Sequence, residues 1–468
     1  MLVADGARPD TLAGAMDRGE LPALARLRAE GGMHTVTSVF PSVTGPAYTP
    51  FLMGRYPGPV GLPGLRWHDR AHAHTRFPHL SRSYVGSEVR KADGDLDPRA
   101  PTIFELVPNA ISAMSMIGRG LEPGNRLGNS IPFGVRAAWT HFRGDLRGWL
   151  AIDRHIADRM VARIRDEQPA LAFCALLCTD KLSHSVGHAH PLVLEALRIV
   201  DDAAARIRSD AERAGRWDAM HLWIVSDHGH SGVTTHDDLA ELLRSWKLSV
   251  RAHPFVFFGG RDAAVMVSGN AMAHVYLRAP RPESARERAW WPALAPQWDW
   301  LANRLLERPS CDLMLLPLAT DTCEVRSGSR GAAQVISAQG RYSYRPLTGD
   351  PLGIGARENL SDGDAYALTA ESDYPDALAQ ITQLALSARA GDVILSAARE
   401  WPAGLDVVVR RCLEKAPDAR FPEEMLDRER YIQKLVLALA GVSFAPMGDT
   451  GPDLGKSIAL DLPKMQKL

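Results

Sequence analysis

Short apolar runs alternate with longer segments of helical period through the first 250 residues of the chain. Runs of β-branched and aliphatic residues predict buried strands at 1–4, 35–40, 111–117, 171–177 and 221–226. The segments 21–30, 148–166 and 191–213 carry apolar residues at the spacing of an amphipathic helix. This alternation is typical of a doubly wound α/β fold, in which helices cover a mostly parallel sheet.

The rhythm changes near residue 261 to short extended pieces separated by glycine-rich turns. These pieces are 263–267, 273–277, 313–316, 323–326 and 333–337. Helical spacing returns at 374–390, and another strand candidate follows at 392–396. We therefore predict a core formed by residues 1–253 and 356–398, a small inserted cap at 254–355 and a helical tail at 399–468.

Composition excludes several classes of protein. Hydrophobic residues make up 46% of the chain and charged residues 23%, with a net charge of -1, which is typical of a globular protein and gives no reason to expect nucleic-acid binding. No apolar run approaches the roughly twenty residues that span a bilayer, so no membrane span is predicted. The chain opens in an apolar run without a secretory signal pattern. This predicts a cytoplasmic location, or a periplasmic or secreted one if a signal precedes the sequence.

Aspartates follow three of the predicted strands: Asp5, Asp180 and Asp227. Loops after parallel strands meet at one edge of a sheet, so we expect these carboxylates to lie together. His184 follows Asp180 by four residues, and His228 directly follows Asp227. One such aspartate alone is more often a turn cap. Three together, two of them with a histidine in reach, favour a metal centre, because crowded carboxylates need cations and zinc binds oxygen and nitrogen ligands.

Thr44 precedes a segment that begins Gly45-Pro46, where proline suits the first turn of a helix. A hydroxyl at this place lies beside free backbone N–H groups that can bind a phosphoryl group. Metal coordination would lower its pKa and make it a nucleophile. Taken alone, such a threonine is more often an ordinary helix cap. The neighbouring aspartates and histidines make Thr44 the candidate nucleophile, with Gly45 as a substrate contact.

These stretches resemble the nucleotide pyrophosphatase/phosphodiesterase branch of the alkaline-phosphatase superfamily over about residues 1–398. The resemblance rests on Val3-Ala-Asp5-Gly-Ala-Arg-Pro-Asp10, Phe40-Pro-Ser-Val-Thr44, Gly54-Arg-Tyr-Pro57 with Gly61 downstream, Asp180-Lys-Leu-Ser-His184, and Ser226-Asp227-His228-Gly229. It implies an alkaline-phosphatase-type sheet and two divalent metal ions, with zinc as the expected element. It also implies the ligands: Asp5, Thr44, Asp227 and His228 for one metal, and Asp180, His184 and a further histidine near the end of the domain for the other.

That further histidine is absent, because no histidine follows His274. The second metal site is therefore expected to be incomplete, since catalytic zinc usually has three protein ligands. His188 and His190 are the substitutes that the sequence offers, although each also fits a solvated loop. Residues 405–421 resemble the final helices of a protein-kinase C-lobe, but no kinase glycine loop, HRD or DFG motif occurs. A gene fusion and a chance likeness both remain open for this tail.

Substrate contacts also depart from the family. Leu65 stands where relatives that cleave nucleotide diesters often carry an asparagine, and Arg66 follows it. A guanidinium binds phosphate oxygens through two N–H groups, so Arg66 is the predicted replacement. Sulfatases carry cysteine or serine in a C/S-x-P-x-R motif, which Thr44-Gly-Pro-Ala-Tyr lacks, and cofactor-independent phosphoglycerate mutases carry serine. Threonine favours diesterase chemistry.

The sequence thus predicts metal-dependent hydrolysis of a phosphodiester or pyrophosphate bond in a small-molecule phosphate ester. Thr44 would attack phosphorus, form a phosphothreonine and be released by water. Two alternatives stay open: a catalytically impaired relative that binds phosphate esters, and a phosphonate or phosphomonoester hydrolase.

Overall fold

The structure, a computed structural model, describes residues 1–70, 81–232, 236–253, 262–269, 271–278 and 288–398. The predicted tail at 399–468, with its kinase-like stretch, lies outside the described residues, and so does the start of the predicted cap at 254–261. The division into core, cap and tail stays a prediction.

Sixteen strands are described, and their bounds follow in chain order. They are β1 Leu2–Ala4, β2 Arg66–His68, β3 Ser81–Ser83, β4 Ala110–Ala113, β5 Arg126–Leu127, β6 Leu171–Leu176, β7 Ile224–Val225, β8 Val250–Ala252, β9 Ala263–Val267, β10 Met272–Leu277, β11 Cys311–Pro317, β12 Thr322–Ser327, β13 Gly331–Ala338, β14 Arg341–Gly349, β15 Arg357–Leu360 and β16 Val393–Ala397.

The α-helices of the described part range from one turn to six. They are α1 Pro9–Asp17, α2 Pro22–Gly31, α3 Thr49–Met53, α4 Ala92–Asp95, α5 Ile103–Leu106, α6 Ile131–Phe142, α7 Leu146–Glu167, α8 Cys178–Val186, α9 Pro191–Arg213, α10 Leu239–Ser245, α11 Trp291–Leu306, α12 Asp362–Thr369 and α13 Ala377–Ala385. None of these described helices is long and apolar enough to cross a membrane.

The first of the two large sheets has five parallel strands in the order β5-β4-β6-β1-β7. The residues of β1 and β4 are all buried, and β1 shows that both faces of the sheet are covered. Ala4 lies in the same buried cluster as Ile156 of α7 and Val200 of α9, whereas Val3 lies in the opposite cluster with Tyr48. Burial on both faces explains why the strands read as continuous apolar runs. The predicted α/β class with a parallel central sheet is confirmed.

A second sheet of nine strands has the order β15-β14-β13-β12-β11-β16-β10-β9-β8. Its pairs are antiparallel except β8 with β9. The five extended pieces predicted between 263 and 337 are strands of this sheet, and β16 joins it from the far end of the described chain. Helix α11 was not predicted, although its buried residues Trp291, Leu294, Trp298 and Leu301 follow helical spacing.

The strand predicted at 35–40 is wrong. This segment is not a β-strand, and Val36 is 74% exposed. Its backbone is bonded instead by glutamine side chains of α13: Phe40 N–H donates to Gln380 Oε1 at 2.7 Å, and Gln383 Nε2 donates to the Phe40 carbonyl at 2.5 Å. These side chains satisfy the N–H and carbonyl groups of Phe40, which a neighbouring strand would otherwise pair.

A buried carboxylate fixes the turn that joins β6 to α8. Asp153 of α7 accepts hydrogen bonds from the N–H groups of Leu177 at 3.2 Å and Cys178 at 2.7 Å. The side chain is buried, so water cannot take its place as the acceptor, and loss of these hydrogen bonds would lower the free energy of unfolding. Because these two bonds fix the turn, they also fix the position of the first residues of α8.

We predict that Asp153→Ala destabilises the protein by on the order of 2 kcal/mol, because two buried N–H groups lose their acceptor. Asp158→Ala is the matched control on the same helix: Asp158 is exposed and pairs with Arg206, so its loss should cost less than about 1 kcal/mol. Urea unfolding measures both free energies. Equal losses in the two variants would contradict a special role for Asp153.

Candidate metal centre

Three aspartates meet at the carboxyl edge of the parallel sheet. Asp5 directly follows β1, Asp227 follows β7 by two residues, and Asp180 lies in the first turn of α8. β1 lies between β6 and β7, which brings the ends of these strands side by side. All three carboxylates are buried. His228 Nε2 lies 3.6 Å from Asp5 Oδ1, 3.6 Å from Asp227 Oδ2 and 4.0 Å from Asp180 Oδ1. The structure brings together the residues that the sequence placed at separate strand ends.

Thr44 reaches the same cluster from the loop before a short 3-10 helix, Pro46–Tyr48. Its Oγ1 donates to Asp5 Oδ1 at 3.1 Å and lies 3.4 Å from His228 Nε2. Gly45, rather than Thr44, is the capping residue, with φ of +99°. This φ lies in the left-handed region that residues with a Cβ rarely adopt, so the turn favours glycine at this position.

A second group of side chains surrounds Asp180. His184, one turn along α8, places Nε2 3.2 Å from Asp180 Oδ1, and His230 places Nε2 2.9 Å from the same oxygen. The two imidazole rings are 4.6 Å apart and nearly perpendicular. Sequence reasoning missed His230. The signal was the run Asp227-His228-Gly229-His230, in which a second imidazole follows two residues after the first.

The two histidines considered as substitutes have other partners. His188 Nδ1 lies 3.1 Å from Thr11 Oγ1. His190 caps α9 and accepts a hydrogen bond from Leu192 N–H at 3.2 Å. Neither belongs to the groups of possible metal ligands among the described residues.

The negative charges of the cluster act on one another. Burial raises the pKa of Asp5 well above its usual value, and the charges of Asp227 and Asp180 raise it further. Burial also raises the pKa of Asp227. For His228, burial lowers the pKa, but the three aspartates outweigh it and raise the pKa to about 9. Carboxylates this close favour a proton or a cation between them.

Asp180 differs from the other two aspartates because one ammonium group, that of Lys181, and two imidazoles, those of His184 and His230, lie against it. Burial acts to raise its pKa, but hydrogen bonds from His184 and His230 and the charge of Lys181 outweigh burial, so the pKa of Asp180 is lowered. Lys181 Nζ donates to Asp180 Oδ2 at 3.0 Å. The ammonium group therefore takes one oxygen of this carboxylate, and the histidines converge on the other.

Two groups of side chains have the chemistry and spacing of metal ligands. One is Asp5, Asp180 and His228, and the other is Asp180, His184 and His230; within each group the ligand atoms lie within 4.8 Å of one another. Asp227 Oδ2 is buried and has no hydrogen-bond donor within the part of the chain described. Such an oxygen and this mixture of oxygen and nitrogen donors fit a divalent cation.

Arg66 is the first residue of β2. Its Nη1 donates to the Val267 carbonyl at 3.4 Å. The neighbouring Leu65 N–H donates to Ser268 Oγ at 3.1 Å. A Cβ built on Gly269 would lie 3.6 Å from Val43 Cγ2, so this part of the chain packs beside the segment that carries Thr44.

The sequence profile described as type I phosphodiesterase / nucleotide pyrophosphatase matches residues 1–317. No curated protein matches the chain. Among solved structures, phosphonoacetate hydrolase from Sinorhizobium meliloti 1021 in complex with phosphonoformate is 16% identical, with a TM-score of 0.47, over 85% of this chain and 80% of that chain. Murine ectonucleotide pyrophosphatase / phosphodiesterase 5 in complex with AMP is 16% identical, with a TM-score of 0.40, over 63% of this chain and 68% of that chain.

The family profile covers more than half of the 468 residues and contains every residue of the acidic and histidine cluster. The resemblance drawn from the motifs is thereby confirmed. The chain belongs to the type I phosphodiesterase / nucleotide pyrophosphatase family of phosphoester hydrolases.

Proposed function

We propose that the protein hydrolyses a phosphodiester or pyrophosphate bond of a small-molecule phosphate ester, with Thr44 as the nucleophile and two divalent metal ions, zinc, as cofactors. One observation carries the proposal. Thr44 Oγ1 lies 3.1 Å from Asp5 Oδ1 and 3.4 Å from His228 Nε2, within a buried cluster of carboxylates that needs cations. A role as a helix cap does not explain these contacts, because Gly45 and not Thr44 is the capping residue.

The proposed ligands divide between two positions. Asp5, Thr44, Asp227 and His228 would hold one ion, and Asp180 and His184 would hold the other. Bound there, the cations would lower the pKa of the threonine hydroxyl and neutralise negative charge that develops on the phosphoryl group.

Buried hydrogen bonds hold the carboxylates in place for this role. Tyr48 OH donates to Asp5 Oδ2 at 3.0 Å, and Thr44 Oγ1 lies 3.1 Å from Asp5 Oδ1 and 3.3 Å from Asp5 Oδ2. Gly6 N–H donates to Asp227 Oδ1 at 3.2 Å. Asp5 and Asp227 thus each have one oxygen held by a buried donor, so little reorganisation is needed during the reaction.

The reaction would proceed in two displacements at phosphorus. Thr44 Oγ1 would pass its proton to Asp5 and attack phosphorus, the bond to the leaving oxygen would break, and that oxygen would take up a proton from solvent, which leaves a phosphothreonine. Water would then attack the same phosphorus and release a proton to solvent, the bond to Thr44 Oγ1 would break, and the threonine would take its proton back from Asp5. The N–H groups of Thr44 and Gly45, together with Arg66, would hold the non-bridging oxygens.

We predict that Thr44→Ala lowers kcat for a diester such as bis(p-nitrophenyl) phosphate by at least about 1,000-fold, because the attacking oxygen is gone. Thr44→Ser should retain measurable turnover. Mass spectrometry of acid-quenched wild-type reactions should show one added phosphoryl group on the peptide that contains Thr44.

Ser42→Ala provides the matched control, since Ser42 is an exposed hydroxyl two residues away. It should leave kcat unchanged. Full activity of Thr44→Ala would remove the nucleophile assignment. Comparison of the diester with p-nitrophenyl phosphate and phosphonoacetate separates diester hydrolysis from the two hydrolase alternatives, and the proposal requires the diester to be the fastest.

For Arg66→Ala we expect kcat/KM to fall by about 10-fold to 100-fold, because a charge-assisted hydrogen bond to phosphate contributes about 1.5–3 kcal/mol. Arg66→Lys should lose less, since it keeps the charge but not the paired N–H groups. Arg99, whose side chain is 89% exposed beside Asp97, gives the control variant Arg99→Ala. Steady-state kinetics measures all three. An unchanged kcat/KM in Arg66→Ala would exclude Arg66 from substrate binding.

A further inference from the structure

We infer that His230 is the third protein ligand of the second metal ion, together with Asp180 and His184. It would take the place of the histidine that relatives carry near the end of the domain and that this chain lacks. The inference rests on the proposed metal centre and deepens it, because it makes the second position complete. It concerns metal binding and does not depend on which ester is the substrate.

The first support is convergence. His184 Nε2 and His230 Nε2 both approach Asp180 Oδ1, at 3.2 Å and 2.9 Å. The three candidate ligand atoms lie within 4.8 Å of one another. One carboxylate oxygen and two imidazole nitrogens are the ligand set of many catalytic zinc sites, which keep a fourth position open. A site limited to Asp180 and His184 would have too few bonds.

The second support is the way in which the fold holds His230. Arg8 Nη1 donates to the His230 carbonyl at 2.5 Å, and Asp10 fixes the same guanidinium through bonds of 2.9 Å and 2.6 Å. The ring is only 12% exposed, whereas that of His184 is 44% exposed. The anchored backbone carbonyl and the largely covered ring limit the orientations that the His230 side chain can take.

The third support is the space beside β1. Gly6 follows Asp5 with φ of +69°, and a Cβ on it would lie 2.8 Å from His230 Nε2 and 3.1 Å from Asp180 Cβ. Any other residue at this turn would push the imidazole away from Asp180. The Asp5-Gly6 turn therefore supplies one ligand of the first metal and leaves room for a ligand of the second.

A purely structural role explains fewer of these contacts. Asp180 already receives Lys181 Nζ on Oδ2 at 3.0 Å and His184 on Oδ1, so it needs no additional donor to be satisfied in the interior. His188 and His190 are committed to Thr11 and to the cap of α9. Among the described residues, His230 is the histidine that completes the second group.

The test is metal binding by the full-length chain, independent of catalysis. Protein stripped with a chelator is titrated with Zn²⁺ against a chromogenic competitor, and zinc per chain is counted by elemental analysis after gel filtration. The wild type should bind two equivalents. His230→Ala should keep one, with the affinity for the second reduced by at least about 100-fold. His184→Ala should lose the same equivalent, and the control His188→Ala should keep both.

Co²⁺ substitution gives a second readout, since the visible absorption of the second equivalent should be lost in His230→Ala. If that variant fails to fold, as judged by circular dichroism, His230→Gln repeats the test, because its amide can still bond to Asp180 but supplies no imidazole nitrogen.

The outcomes separate the two proposals. Two zinc ions bound by His230→Ala with wild-type affinity would overturn the inference and leave the proposed hydrolysis intact. A wild type that binds fewer than two equivalents would also overturn it. Loss of one zinc in His230→Ala, combined with no diester turnover by the wild type, would support the inference and refute the proposed function.

Discussion

Electrostatic repulsion among three buried carboxylates is the constraint on which the site depends. Asp5, Asp180 and Asp227 approach one another at the edge of a parallel sheet, where water cannot screen them. The surrounding groups partly offset this repulsion. The ammonium group of Lys181 and two imidazoles lie against Asp180, the phenol of Tyr48 donates to Asp5, and the N–H of Gly6 donates to Asp227. What remains is a set of oxygens and nitrogens directed at one another, which divalent cations would satisfy.

The order of the strands places the three carboxylates side by side at one edge of the sheet. β1 is the middle strand of three whose carboxyl ends carry the acids, and both faces of it are buried. Asp153 fixes the turn after β6, so the first turn of α8 presents Asp180 to the same edge. Thr44 reaches the same cluster from the loop that precedes the 3-10 helix Pro46–Tyr48. These supports matter because the ligands of a metal site must be held within about 0.5 Å of their positions.

The sequence was sufficient for the parts of the molecule that follow local rules. The apolar runs at β1, β6 and β7 and the helical spacing of α9 predicted their elements, and aspartates after parallel strands predicted the cluster. It was insufficient where distant residues decide the outcome. The segment at 35–40 has strand composition, but glutamines some 340 residues away bond its backbone. The run Asp227-His228-Gly229-His230 offered a local signal for His230, but the position of its ring beside Asp180 depends on Gly6 and on the bond from Arg8, which are distant in sequence.

The most direct measurement of the central claim is a crystal structure of the zinc-soaked protein with diffraction data collected on both sides of the zinc absorption edge. The account predicts two anomalous peaks in contact with the cluster, one beside Asp5, Asp227 and His228 and the other beside Asp180 and His184. Absence of peaks at these carboxylates in crystals that contain zinc elsewhere would contradict it.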